Sequence, residues 1–178
     1  MKEPRIDALL DPSYLSDLAG LELVEVRARR EEGNDVEMNL SYLRRMIQGR
    51  LDIVVDERDR RIQGSGGSDL ASLVERLPEI LSDRVHAPGF GRLPTSLAPA
   101  EVGPEATARL DAIAPADRMV EIFGLSDQEL DKLVDALGKL EAEVSGQRRR
   151  LHDVLSSLQG ELIRRYRSGE ANVDSLLK

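Results

Sequence analysis

Apolar residues recur at helical spacing over two long stretches of the chain. In the first, Leu40, Leu43, Ile47, Leu51 and Val54 follow one another at three- or four-residue intervals, the period of a single helix face. In the second, Val144, Leu151, Leu155, Leu158 and Leu162 form a stripe of the same kind. The first stretch, "EMNLSYLRRMIQGRLD", carries a polar stripe as well. Glu37, Ser41, Arg44, Gln48 and Asp52 recur at +4, +3, +4 and +4. At about 100° per residue they fall inside an arc of roughly 80°, about 100° from the apolar stripe. Each helix is thus expected to offer a seam to a partner helix and, at its edge, a row of chemically specific polar groups.

Start and stop signals divide the rest. Helical character runs from Leu21 to Ile62, with a break expected at "EEGND", where Asp35 would cap the part that follows. "QGSGGSD" stops it, with glycines at 64, 66 and 67. "SDLASLVERLPEIL" predicts a short helix capped by Ser68 or Asp69 and disturbed by Pro78. From Ser82 to Ala116 the chain reads as a linker, since "HAPGFGRLPTSLAPAEVGPEA" holds four prolines and three glycines. Ser126 and Glu129 form a capping box, and the helix it opens runs to about Arg167, a rod of roughly 60 Å. The predicted organisation is an N-terminal segment (1–34), a first motif helix (35–63), a flexible linker with a short helix (64–116), a second motif helix (117–170) and a tail (171–178). The fold class is all-α. Two long helices pair as an antiparallel coiled coil, with short extra helices and a disordered linker.

Composition narrows this further. Aromatic residues are 3% and Trp is absent, so the core must be aliphatic, which suits helix-on-helix packing. A net charge of −8 argues against direct nucleic-acid binding, which depends on neutralising phosphates. The absence of cysteine and the presence of only 2 histidines exclude disulfides and thiolates and leave little for a metal. No stretch approaches 18 apolar residues and "MKEPRIDALLDPSYL" has no long apolar core. The expectation is a cytoplasmic protein with no membrane contact. "GSGGSD" lacks the Lys-Ser/Thr of a phosphate loop, and His86 has no visible catalytic partner. No nucleophile–base pair stands out, so the chain is not read as an enzyme. Tyr42 and Tyr166 read as packing or partner-surface residues.

The two stretches also repeat each other. At a shift of 104 residues Glu37, Ser41, Arg44, Arg45 and Leu51 fall on Glu141, Ser145, Arg148, Arg149 and Leu155, Gln48 on His152 and Asp52 on Ser156. Arginine presents a planar fork of donors that suits phosphate and the O6/N7 edge of guanine. Carboxylates accept paired donors such as the N1–H and N2–H2 edge of guanine. Residues 141 to 167 hold six arginines against four acidic residues, a local positive balance. The stripe therefore suits a ligand with guanine bases and phosphates. The alternative is a constitutive coiled-coil adaptor without a small ligand, in which the stripe is a solvated face with i,i+4 pairs such as Gln48–Asp52.

The pattern E-x3-S-x2-R-x3-Q-x3-D over Glu37 to Asp52 resembles the signature of the RsiG family of actinobacterial anti-sigma factors. "EVSGQRRRLHDVLSSLQGELIRRYRSGE" is similar to the family's second helix, keeping Glu141, Ser145 and Arg148 and departing at His152 and Ser156. The resemblance covers both long helices and not the linker. It implies that two cyclic di-GMP molecules sit against the paired helices, at Glu37, Ser41, Arg44, Gln48, Asp52, Glu141, Ser145, Arg148, His152 and Ser156. It also implies that the loaded protein sequesters a sporulation sigma factor of the WhiG type.

Overall fold

A computed structural model describes residues 6–64, 70–82 and 104–169, without the side chains of 104–106. Its helices are α1 (Ile6–Leu9), α2 (Leu23–Ile62), α3 (Leu70–Ser82), α4 (Pro104–Ile113), α5 (Ala116–Val120) and α6 (Asp127–Ser168), with 3-10 turns at Pro12–Leu15 and Ile122–Gly124. No strand occurs among the described residues. The architecture is the expected antiparallel coiled coil of two long helices with short helices beside it.

The chain divides into two compact units, the first made of residues up to Ser41 and from Ser145 onward, the second of Tyr42–Val144. In the first, Val26 clusters with Val154, Leu158 and Leu162, and Val36 with Leu151 and Leu9. Rising numbers on α2 meet falling numbers on α6, the mark of antiparallel pairing. The N-terminal segment caps this end. Tyr14 packs on both clusters, donates its hydroxyl to Glu32 at 2.8 Å and lies under the Arg29 guanidinium at 5.2 Å. Burial and the Glu32 carboxylate both push the Tyr14 phenol up.

In the second unit Ile47 and Val54 of α2 and Leu130, Leu133, Leu137, Leu140 and Val144 of α6 are buried. Leu40, Leu43, Leu51 and Leu155, placed on the seam by periodicity, are half-buried. The helix α3 is tied to α2 by an Arg76–Asp56 ion pair at 2.5 Å. Arg50 reaches Asp111 at 2.8 Å, and Arg109 grips both oxygens of Glu143 at 2.6 and 2.7 Å, which fixes α4.

Three boundaries differ from the sequence reading. The helix expected from 35 begins at Leu23 and passes unbroken through "EEGND". Gly33 is not a stop but a close-approach residue. A Cβ there would lie 2.8 Å from Leu155 Cδ2, and tight packing outweighs the roughly 1 kcal/mol a helical glycine costs. The stretch 64–116, expected to hold a single short helix, also contains α4, whose Leu110 is fully buried together with the following Ala114; two apolar positions are too few to show a period. The segment set at 117–170 holds α5 and a 3-10 turn over 116–124 ahead of the long helix, which opens at Asp127, where the Ser126 capping box placed it. The linker core 83–103 and the tail 171–178 lie outside the described residues. The stop at Gly64 holds: its φ is +68°, the left-handed conformation of a helix C-cap glycine. The capping box holds too, with Ser126 N–H donating to Glu129 at 2.7 Å and Glu129 N–H to Ser126 Oγ at 3.3 Å. Among the described residues no helix is long and apolar enough to cross a membrane.

Candidate ligand-binding site

Polar groups next to an apolar seam sit where two helices approach, so a long side chain on one reaches the other. In the first unit this places Glu37 at the centre of a small nest. Its Oε1 accepts from Ser41 Oγ one turn along α2 at 2.7 Å, and from Arg148 Nη2 on α6 at 2.8 Å. His152 Nε2 stands 3.5 Å away. Burial pushes the Glu37 carboxyl up, but the bonds from Arg148 and Ser41, helped by the Arg148 charge, outweigh it and hold the group below the usual range.

The second unit builds the same nest with the helices exchanged. Glu141 on α6 accepts from Arg44 Nε at 3.0 Å and from Gln48 Nε2 at 3.1 Å, both on α2. Glu37 and Glu141 are exposed by only 21% and 22%, so the carboxylate of each row is turned into the helix pair, while His152 and Ser156 of the second row are exposed. Gln48 donates across the helix pair to Glu141, a bond that the i,i+4 picture did not contain. The correspondence found by sequence shift, Glu37 with Glu141, Arg44 with Arg148 and Gln48 with His152, is also a correspondence of contacts.

The remaining predicted residues are placed less uniformly. Ser145 is half-buried on α6. Asp52 is 8% exposed, whereas Ser156, its counterpart at the 104-residue shift, is exposed. The nests offer guanidinium forks, carboxylates and an amide at half-buried positions, with the His152 imidazole exposed at the rim, a set able to engage anionic and base-edge groups together. Among the described residues no group of three or more His, Asp or Glu could hold a metal ion.

One pair of features escaped the sequence reading. Near the end of α2, Arg61 Nε donates to Glu57 at 2.7 Å while its other nitrogens donate to the carbonyls of Leu125 (2.6 Å), Phe123 (3.1 Å) and Ile122 (3.3 Å) in the turn before α6. Near the end of α6, Arg165 Nε donates to Glu161 at 2.6 Å, and its fork reaches the carbonyls of Leu21 (2.7 Å), Leu18 (2.9 Å) and Ala19 (3.3 Å) before α2. Every member again differs by 104 positions. Extending the shift past the polar stripe would have exposed the pair, as would Gly20-Leu21 against Gly124-Leu125.

Residues 12–81 match the model of the RsiG-like family, a stretch that runs from the first 3-10 turn through α2 and into α3. No curated protein matches the chain.

Proposed function

We propose that this chain, whose residues 12–81 match the RsiG-like family model, is an anti-sigma factor gated by cyclic di-GMP. The observation that supports this best is the duplicated nest, Glu37 with Ser41, Arg148 and His152, and Glu141 with Arg44 and Gln48. Each nest by itself offers a carboxylate and a guanidinium fork, the pair of groups that a guanine and a phosphate of cyclic di-GMP call for.

In this reading Arg44 and Arg148 turn from the carboxylates to phosphate or to guanine O6/N7, and each makes bidentate, charge-assisted bonds. Glu37 and Glu141 are then released to accept from guanine N1–H and N2–H2. Ligand binding exchanges one set of ion pairs for another, so the net gain is smaller than a count of new bonds suggests. Ser41, Ser145, Gln48 and His152 complete the polar lining, with Asp52 and Ser156 at its far ends along the stripes. The loaded helix pair holds a WhiG-type sigma factor away from RNA polymerase.

One observation favours the adaptor reading. Each nest supplies its carboxylate with donors from the helix pair itself, as a constitutive coiled coil requires. A thermal melt separates the two. Cyclic di-GMP that binds only the folded state raises the midpoint in proportion to its concentration over Kd. An unmoved midpoint, with sigma factor still captured, leaves the adaptor.

A further inference from the structure

An aliphatic seam repeats every heptad and cannot by itself distinguish one antiparallel register from the next. The nests exist in one register only. Something other than Leu, Ile and Val must select it.

We propose that Glu57–Arg61 and Glu161–Arg165 are paired register clamps that position the nests, independently of what the nests bind. Each arginine sits near the C-terminal end of one long helix and is aimed by a glutamate one turn earlier. Each then spreads its fork over three carbonyls of the turn that leads into the other long helix. Leu18, Ala19, Leu21 and Leu125 lie outside the helices, and Ile122 and Phe123 in the 3-10 turn, where Ile122 also accepts from Leu125 N–H at 3.3 Å; outside an α-helix such carbonyls draw on donors from elsewhere. A slip by one heptad would carry the guanidinium about 10 Å from them and strand them. Glu57 and Arg165 are 2% and 6% exposed, so water does not readily replace the lost bonds. In the second unit, Arg61 also reaches Asp127 at 3.1 Å at the start of α6, which fixes the helix that presents Glu141. In the first, Arg165 fixes the entry to α2, which presents Glu37. Lysine could supply the charge but not a fork that bridges a carboxylate and three carbonyls.

The chain has no cysteine, so register can be read by engineered cross-links in the full-length protein. Gly33→Cys with Leu155→Cys reports the native register of the first unit, where these two residues touch. Gly33→Cys with Leu162→Cys reports a slip of one heptad. In each background Arg165→Gln is expected to lower the native cross-link by roughly threefold or more, the effect of losing charge-assisted bonds, and to raise the slipped one, with helicity by circular dichroism retained. Arg165→Lys is expected to do the same, and Glu161→Gln to shift the balance less far in the same direction. An unchanged pattern overturns the proposal. So does rescue by lysine, which would make charge alone sufficient. Collapse of helicity in both Arg165→Gln and Glu161→Gln also overturns it, because a clamp that selects register leaves an alternative pairing intact.

Discussion

Arg148 Nη2 lies 2.8 Å from Glu37 Oε1, a bond that crosses from α6 to α2 beside the aliphatic seam. Arg44 makes the same bond to Glu141 in the opposite sense. Two side chains on one helix therefore play both partners, donor in one nest and acceptor in the other. That arrangement makes the pair testable from either side.

Removing the donors is expected to damage ligand binding more than the fold. Arg44→Ala and Arg148→Ala should each weaken cyclic di-GMP binding by roughly tenfold or more, since a charge-assisted bidentate contact is lost. Helicity should be kept because alanine is a good helix former. Calorimetric titration of both variants checks this, and an affinity equal to wild type in both would remove the arginines from the site.

The two ends of the stripes are unequal. In the proposed reading Asp52, buried at 8% exposure, turns its carboxylate to a guanine edge, whereas Ser156 brings one neutral hydroxyl. Asp52→Ala is expected to cost about 1 kcal/mol more binding energy than Ser156→Ala. The wild-type protein should prefer cyclic di-GMP to cyclic di-AMP, because adenine lacks the N1–H and N2–H2 donors. Parallel titrations with the two dinucleotides decide the matter.

Acid is expected to loosen the clamp in the first unit. The Arg164 and Arg165 guanidinium groups hold the Glu161 carboxyl down at about 2, below the usual 4.3 or so of an unfolded chain. Its contribution to stability is therefore complete above pH 4.5 or so and is lost as pH falls toward about 2. Urea midpoints measured across that range should fall for wild type, and less steeply for Glu161→Gln. Identical slopes would mean that the carboxylate does not distinguish folded from unfolded chain.

Packing at Gly33 gives a prediction independent of any ligand. Gly33→Leu is expected to destabilise by about 1–3 kcal/mol through overpacking against Leu155. Gly33→Ala should lie within about 1 kcal/mol of wild type, since a single methyl meets only the tip of a flexible side chain and gains helix propensity. Combining Gly33→Leu with Leu155→Ala should recover part of the loss. Chemical denaturation of the four proteins tests the contact.

Helix identity and the polar stripes were legible in the sequence because both follow from local periodicity. Leu40 to Val54 and Val144 to Leu162 each state a face, and the 104-residue shift from Glu37 to Glu141 states that the faces correspond. The capping box at Ser126 and the stop at Gly64 were legible for the same reason, since caps act within one turn. What only the tertiary structure decided is where distant groups meet. Gly33 looked like a break because propensity is local, and became an interior residue because Leu155 fills the space beside it. Gln48 could equally have bonded Asp52 on its own helix, and the approach of α6 gave it Glu141 instead. Arg61 and Arg165 carry no local signal beyond being basic residues near helix ends. Their role depends on carbonyls some 60 and 144 positions away, and no periodicity encodes a bond to a backbone whose position is fixed only once the helices have paired.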